Sequence, residues 1–144
     1  MLARAIATIP SPSVPAEMGY ADPMRFEPGD LDLLATTKEV EIETARPGGV
    51  THRTIIWVVV DGDDAFIRSV NGVTARWYRE TIANPVVTIH AAGRPIPARV
   101  VAARDPDTAR RVSDSLSRKY ARTGGLRAML KPETFETTLK LEPA

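Results

Sequence analysis

Four arginines, two tryptophans and a run of small polar residues fall within one stretch, Arg53 to Pro85. Arg53, Arg68 and Arg76 offer planar guanidinium forks, Ser69 and Thr74 offer hydroxyls, and Asn71-Gly72 offers backbone amides ahead of a segment with helical spacing. These are the donors that a phosphate requires. Trp57 and Trp77 are large enough to flank a planar ring, and either also suits a hydrophobic core. Arg68 and Ser69 are adjacent in a strand-like piece, so their side chains point to opposite faces and at most one of them faces a common ligand. Periodicity alone leaves open which arginines share a face.

Other chemistries find no anchor. The chain of 144 residues has no cysteine, which removes disulfides, thiolate metal sites and a cysteine nucleophile and suits a reducing cytoplasm. Its two histidines, His52 and His90, belong to no metal-ligand spacing. No G-x-G-x-x-G, P-loop or G-x-S-x-G is present. Asp61-Gly62-Asp63-Asp64 lacks the spacing and terminal glutamate of a calcium loop and reads as a hairpin turn.

Nineteen basic and 18 acidic residues give a net charge of +1, which argues against a nucleic-acid binder. The balance hides an asymmetry: Met1 to Val73 carries 6 basic and 11 acidic residues, and Thr74 to Lys131 carries 12 and 4. No run approaches the roughly 18 apolar residues of a membrane span. The chain therefore reads as a soluble cytoplasmic protein.

The elements that must position these residues follow from pattern. Residues 1–28 hold five prolines without periodicity and form an extended arm; residues 29–144 form one domain. Gly29-Asp30 caps a short helix, and Val40, Ile42 and Thr44 alternate with Glu39, Glu41 and Glu43 in a strand with one buried face. Thr54 to Val60, apolar from Ile55 onward, predicts one strand buried on both faces. Ala65 to Val70 is the next strand, followed by a helix from about Thr74 to Ala83 that Asn84-Pro85 ends. Val86–Ala91 and Ile96–Arg104 make a hairpin around Gly93-Arg94-Pro95. Asp105-Pro106 starts a helix with a stripe at Ala109, Val112, Leu116 and Tyr120, and Phe135, Thr137, Leu139 and Leu141 alternate in a last strand. The sum is a mainly β fold with accessory helices, six antiparallel strands closed into a small β-barrel, which the resemblance below makes a split β-barrel.

Two strands joined by D-G-D-D, then S-V-N-G-V-T-A-R-W-Y and I-A-N-P-V-V-T-I, resemble the deazaflavin-dependent nitroreductase-like proteins. These belong to the flavin-binding split-barrel superfamily related to pyridoxamine phosphate oxidase, and the resemblance extends to a bacterial branch of unknown function. It covers roughly residues 38–104. It implies a homodimer that binds FMN or a deazaflavin near the subunit interface and transfers hydride to or from a small-molecule substrate; charge and hydropathy, as above, leave no nucleic acid or membrane partner. Arg53 and Thr54 match the strand that contacts the cofactor, Ser69, Asn71 and Gly72 the following loop, and Arg76 and Trp77 the start of the helix; Trp57 and Arg68 complete the expected cofactor-binding set. Asn71 stands where the family has the first glycine of Gly-Gly, and its side chain occupies space near the expected phosphate. The alternative reading is a split barrel that binds a small ligand or dimerises without catalysis.

Overall fold

The computed structural model describes residues 25–144, so the expected proline-rich arm lies outside the described residues up to position 24. The first helix, α1 (Pro28–Thr36), begins before the expected Gly29-Asp30 cap, because Pro28 already has the φ of a first helical turn. Asp30 instead accepts from Arg94 Nε at 2.5 Å.

Strand β1 (Val40–Ala45) alternates as its sequence requires, with Val40, Ile42 and Thr44 buried and the glutamates on the other face. The strand expected from Thr54 to Val60 is two strands, β2 (Thr51–Ile56) and β3 (Val58–Asp61), which makes seven strands among the described residues rather than six. Trp57 alone separates them, yet they pair at opposite ends of the sheet. Ile42 opposes Thr54 in the β1–β2 ladder, whereas Val59 opposes Phe66 in the ladder of β3 with β4 (Asp64–Ile67). Burial on both faces holds for β3, where Val58 enters the main core and Val59 lies in a second apolar cluster. It does not hold for β2, whose Ile55 is 60% exposed.

A 3-10 turn, Gly72–Thr74, leads into α2 (Arg76–Ala83). Strands β5 (Val86–Ala91) and β6 (Arg94–Ala102) turn on Ala92-Gly93, one residue earlier than the expected Gly93-Arg94-Pro95. Both turn residues have positive φ, 51° and 84°, the pair that a two-residue hairpin demands. Helix α3 (Pro106–Lys119) is capped as expected, with Asp105 Oδ2 accepting from Thr108 N at 3.0 Å. The short α4 (Leu126–Met129) and a second 3-10 turn (Pro132–Thr137) precede β7 (Leu139–Pro143). Phe135 and Thr137, expected in the last strand, therefore lie in the turn, whose first residue is a proline.

All pairings are antiparallel, in the order β2-β1-β5-β6-β7-β4-β3. The sheet curls into a half-barrel around Ile42, Ile89, Ile96, Leu139 and Leu141, all within 1–2% of full burial. Each such side chain stabilises the fold by about 1.5–3 kcal/mol. Trp77 and Tyr78 of α2 and Leu34 of α1 join the same core. Helix α3 covers the outer face of β3 and β4, where Val112, Leu116 and Tyr120 meet Val59 and Phe66. Among the described residues no helix is long and apolar enough to cross a membrane.

Candidate functional site

The three arginines go to three different places. Arg68 leaves the end of β4 and is 2% exposed. Its Nε donates to Thr138 Oγ1 at 3.0 Å, Nη1 to Ser113 Oγ at 2.9 Å and to the Met129 carbonyl at 3.3 Å, and Nη2 to the Ala109 carbonyl at 2.9 Å. The guanidinium also lies 4.8 Å from the Phe135 ring centroid. No carboxylate among the described residues pairs with it, and burial alone pushes its pKa down to about 10. It remains a cation at neutral pH, held by dipoles and a π face.

Arg53 and Arg76 lie on opposite faces of β2. Arg53 shares the outer face with Ile55, opposite Glu43 and Glu41 of β1. It reaches Glu41 Oε1 at 3.4 Å and Glu43 Oε1 at 3.8 Å. His90 Nε2 lies 2.7 Å from the same Glu43 oxygen, and this hydrogen bond, more than the charge of Arg53, holds the Glu43 carboxyl below its ordinary range. On the inner face, Arg76 Nη2 donates to Thr54 Oγ1 at 3.2 Å, and its Nε lies 3.9 Å from Glu80 Oε1. Glu80 also accepts from Thr44 Oγ1 at 2.6 Å and lies 3.2 Å from His52 Nδ1. Burial pushes its carboxyl up, but these partners outweigh burial and leave it below the ordinary range.

The corner formed by Ser69, Asn71 and Gly72 satisfies itself. Gly72 N donates to the Ser69 carbonyl, Ser69 Oγ returns a bond to the Gly72 carbonyl at 2.8 Å, and Thr74 Oγ1 donates to the Asn71 carbonyl. Ser69 N is held by Thr137 Oγ1. The amides and hydroxyls expected to face a phosphate thus close a turn, and Asn71 and Gly72 border a separate cavity of about 350 Å³ with Lys131, Glu133 and Glu136.

The tryptophans do come together. Trp57, Trp77 and Arg68 line one cavity of about 280 Å³ with Ile56 and Met129, and Glu39, Ile55, Val70 and Gly125 complete its boundary. The burial of these residues gives it depth: Arg68, Ile56, Trp77 and Met129 are buried and form the floor, while Glu39, Ile55, Val70 and Gly125 are exposed and form the rim. A second cavity of about 560 Å³ runs along the outer face of β2 and β1, lined by Arg53, Glu41 and His90. The two share Glu39 and Ile55 and so meet at the exposed edge of β2.

The wall of the smaller cavity rests on a residue that the sequence marked only as part of a helix stripe. Tyr120 stacks on Trp57 with centroids 4.1 Å apart and planes at 5°. Its hydroxyl donates to the Lys38 carbonyl at 2.6 Å and accepts from Val58 N at 3.3 Å. Burial pushes this hydroxyl's pKa up to about 12, the Val58 bond opposing the shift. Lys119 adds Nζ bonds to the carbonyls of Leu34 and Val58. The break at Trp57 is therefore braced from α1, β3 and α3 at once. Beside it, Gly125 has φ of +93°, and a Cβ there would lie 3.8 Å from Trp57 Cη2. Among the described residues no group of three or more potential ligands is placed to hold a metal ion.

The curled antiparallel sheet, with one strand crossing between its edges, has the fold of a split barrel. ChuZ of Campylobacter jejuni superposes with a TM-score of 0.63 at 15% identity, over 80% of this chain and 50% of its own, so this chain spans half of that protein's length. A candidate pyridoxamine 5′-phosphate oxidase from Listeria innocua gives 0.56 at 13% identity, over 81% and 90% of the two chains. An F420 reductase gives 0.51 at 20% identity, over 78% and 91%. At these identities the likeness is one of fold. Residues 30–141 match the family described as uncharacterized proteins conserved in bacteria (DUF2255), and the chain belongs to it. A comparison with curated proteins finds no match.

Proposed function

We propose that the chain is a flavin- or deazaflavin-dependent oxidoreductase that acts on a small molecule, with the ring of the cofactor in the Trp57–Trp77 cavity and its phosphate toward Arg53. The observation that carries this reading is the junction of the two cavities at Ile55, which places an aromatic-walled recess end to end along β2 with a groove that presents the Arg53 guanidinium beside Glu39, Glu41 and His90. Trp57 is held rigid by Tyr120, so it presents a fixed wall to a planar ring. The contacts of Arg53 with Glu41 and Glu43, at 3.4 and 3.8 Å, exceed the about 2.7–2.9 Å of a committed charge-assisted bond. A phosphate therefore competes for a loosely held guanidinium.

When bound, such a cofactor supplies hydride transfer at its ring. The residues of the chain bind it, orient it and keep water from the floor of the recess. A proton for such a transfer would come from solvent or from a tyrosine hydroxyl, Tyr78 or Tyr20; Tyr78 is buried in α2 with its hydroxyl toward the Glu136 carbonyl and does not line the recess. Tyr20 lies outside the described residues. A second copy of the chain completes the groove by covering the outer face of β2, β5 and β6, where Ile55, Val86 and Val101 are exposed.

Titration with FMN and with a deazaflavin tests the assignment. Arg53→Ala should weaken binding by about 1.5–3 kcal/mol, the worth of a hydrogen bond to a charged group, whereas Arg76→Ala, on the opposite face, should leave affinity unchanged. Equal affinities for the native chain and Arg53→Ala would remove the phosphate site. A second reading, ligand binding without turnover, is favoured by the recess itself, whose titratable lining groups among the described residues are Arg68 and Glu39. A protein that is purified colourless, and whose melting temperature neither cofactor raises, would favour it, because a ligand specific to the native state adds stability.

A further inference from the structure

We infer that the recess between Trp57 and Trp77 selects planar aromatic anions, with the negative charge of the ligand directed to its Arg68 floor. The inference rests on the reading of this recess as a ring site and adds the charge of the ring it prefers.

Arg68 is the reason. A buried cation is costly unless an anion accompanies it, and isolated buried charges are rare for that cause. Among the described residues no carboxylate pairs with this one. Its four hydrogen bonds go to two carbonyls and two hydroxyls, which stabilise the cation without cancelling its charge. A guanidinium has five N–H groups, and Nη2 donates only once, to the Ala109 carbonyl. Arg68, whose charge no carboxylate among the described residues cancels, thus lines an aromatic-walled recess.

The rim is of the opposite sign. Glu39 is exposed at the mouth, next to Ile55 and Val70, which are 60% and 44% exposed. A ligand therefore passes a carboxylate and an apolar collar before it reaches the cationic floor. At about 280 Å³ the recess sits near the lower end of ligand pockets, which run from about 300 to 1,000 Å³, and has room for one or two rings. Charge-assisted bonds are about twice as strong as neutral ones, so the floor discriminates between an acid and its neutral isostere. The low dielectric around the buried guanidinium strengthens that discrimination.

The test is calorimetric titration of the full-length chain, without cofactor, with 2-naphthoate and with 2-naphthamide. The acid should bind about tenfold more tightly than the amide, which corresponds to about 1.4 kcal/mol. Glu39→Gln should strengthen naphthoate binding by about two- to fivefold and leave naphthamide unchanged, since only the acid feels the rim charge. Trp57→Leu should weaken both, and Arg68→Met, if it folds, should abolish the difference between them. Equal affinities for acid and amide, no binding of either, or indifference of naphthoate to both Glu39→Gln and Trp57→Leu would each overturn the inference. Arg53→Ala separates the two readings, because it should weaken FMN or deazaflavin binding and not naphthoate binding. Cofactor binding without acid preference sinks only the inference; acid preference without cofactor binding sinks only the cofactor.

Discussion

Arg68 and Arg53 are the same residue type at opposite ends of one sheet, and they behave as opposites. Arg53 stands on the uncovered half of the half-barrel, half-exposed, beside two carboxylates. Arg68 stands on the half covered by α3, buried, among neutral acceptors. Solvent explains the difference. On the open face water and nearby acids carry most of the charge stabilisation, so the arginine is weakly tied and available. Under α3 water is excluded, so every N–H that can be satisfied must be satisfied from the fold, and the residue ties β4, α3, α4 and β7 together.

That contrast can be broken at its strongest point first. Arg68→Met should destabilise the chain by more than about 3 kcal/mol in chemical denaturation, since two carbonyls and two hydroxyls lose their donor together and each loss costs about 1–3 kcal/mol. A change below about 1 kcal/mol would show that the covered half does not depend on it. Tyr120→Phe comes next. It removes the hydroxyl that bridges Lys38 and Val58 while keeping the ring, and should cost about 1–3 kcal/mol. Near-ultraviolet circular dichroism should show the Trp57 environment loosened with the stack retained.

Lys119 gives a smaller effect with a definite sign. Burial, with help from the nearby Lys38 charge, pushes its ammonium down to about 8 from 10.5. The folded chain therefore releases this proton while the unfolded chain still holds it, so stability from this group rises as pH climbs from about 8 toward 10.5. Tyr120 acts in reverse above pH 10, where only the unfolded chain ionises readily. The denaturation midpoint should rise between pH 8 and 10 and stay flat in Lys119→Met; a midpoint that falls in the native chain would contradict the burial. The smallest effect belongs to the open half. Arg53→Ala should change stability by less than about 0.5 kcal/mol, because exposed ion pairs contribute little. A larger loss would mean that the outer face is braced in a way its distances do not suggest.

The elements were mostly legible because local chemistry decides them. The alternation of β1, the Asp-Gly hairpin turn and the Asp105-Pro106 helix start each depend on neighbours a few residues away. The break at Trp57 was not legible, since Ile55 to Val60 is uniformly apolar and only pairing with β1 on one side and β4 on the other divides it. Phe135 and Thr137 alternate like strand residues, and the proline at the start of their turn was the signal against it. The destination of Arg68 was hidden for a similar reason: its acceptors Ala109, Ser113, Met129 and Thr138 lie 41 to 70 positions away. The aromatic pair was visible as types and not as a site, because Tyr120, which fixes Trp57, is 63 positions further along the chain.

The order of the sheet has a mechanical consequence. Its two outermost strands, β2 and β3, are one continuous piece of chain with Trp57 as the only link. Neither border can peel away alone without pulling on that link, and so on the other border. Thinned hydrogen bonding at one edge would be felt as torsion at the indole, where a bound ring would resist it. Amide exchange should then find both borders opening as one unit, and a ligand at Trp57 should slow them together.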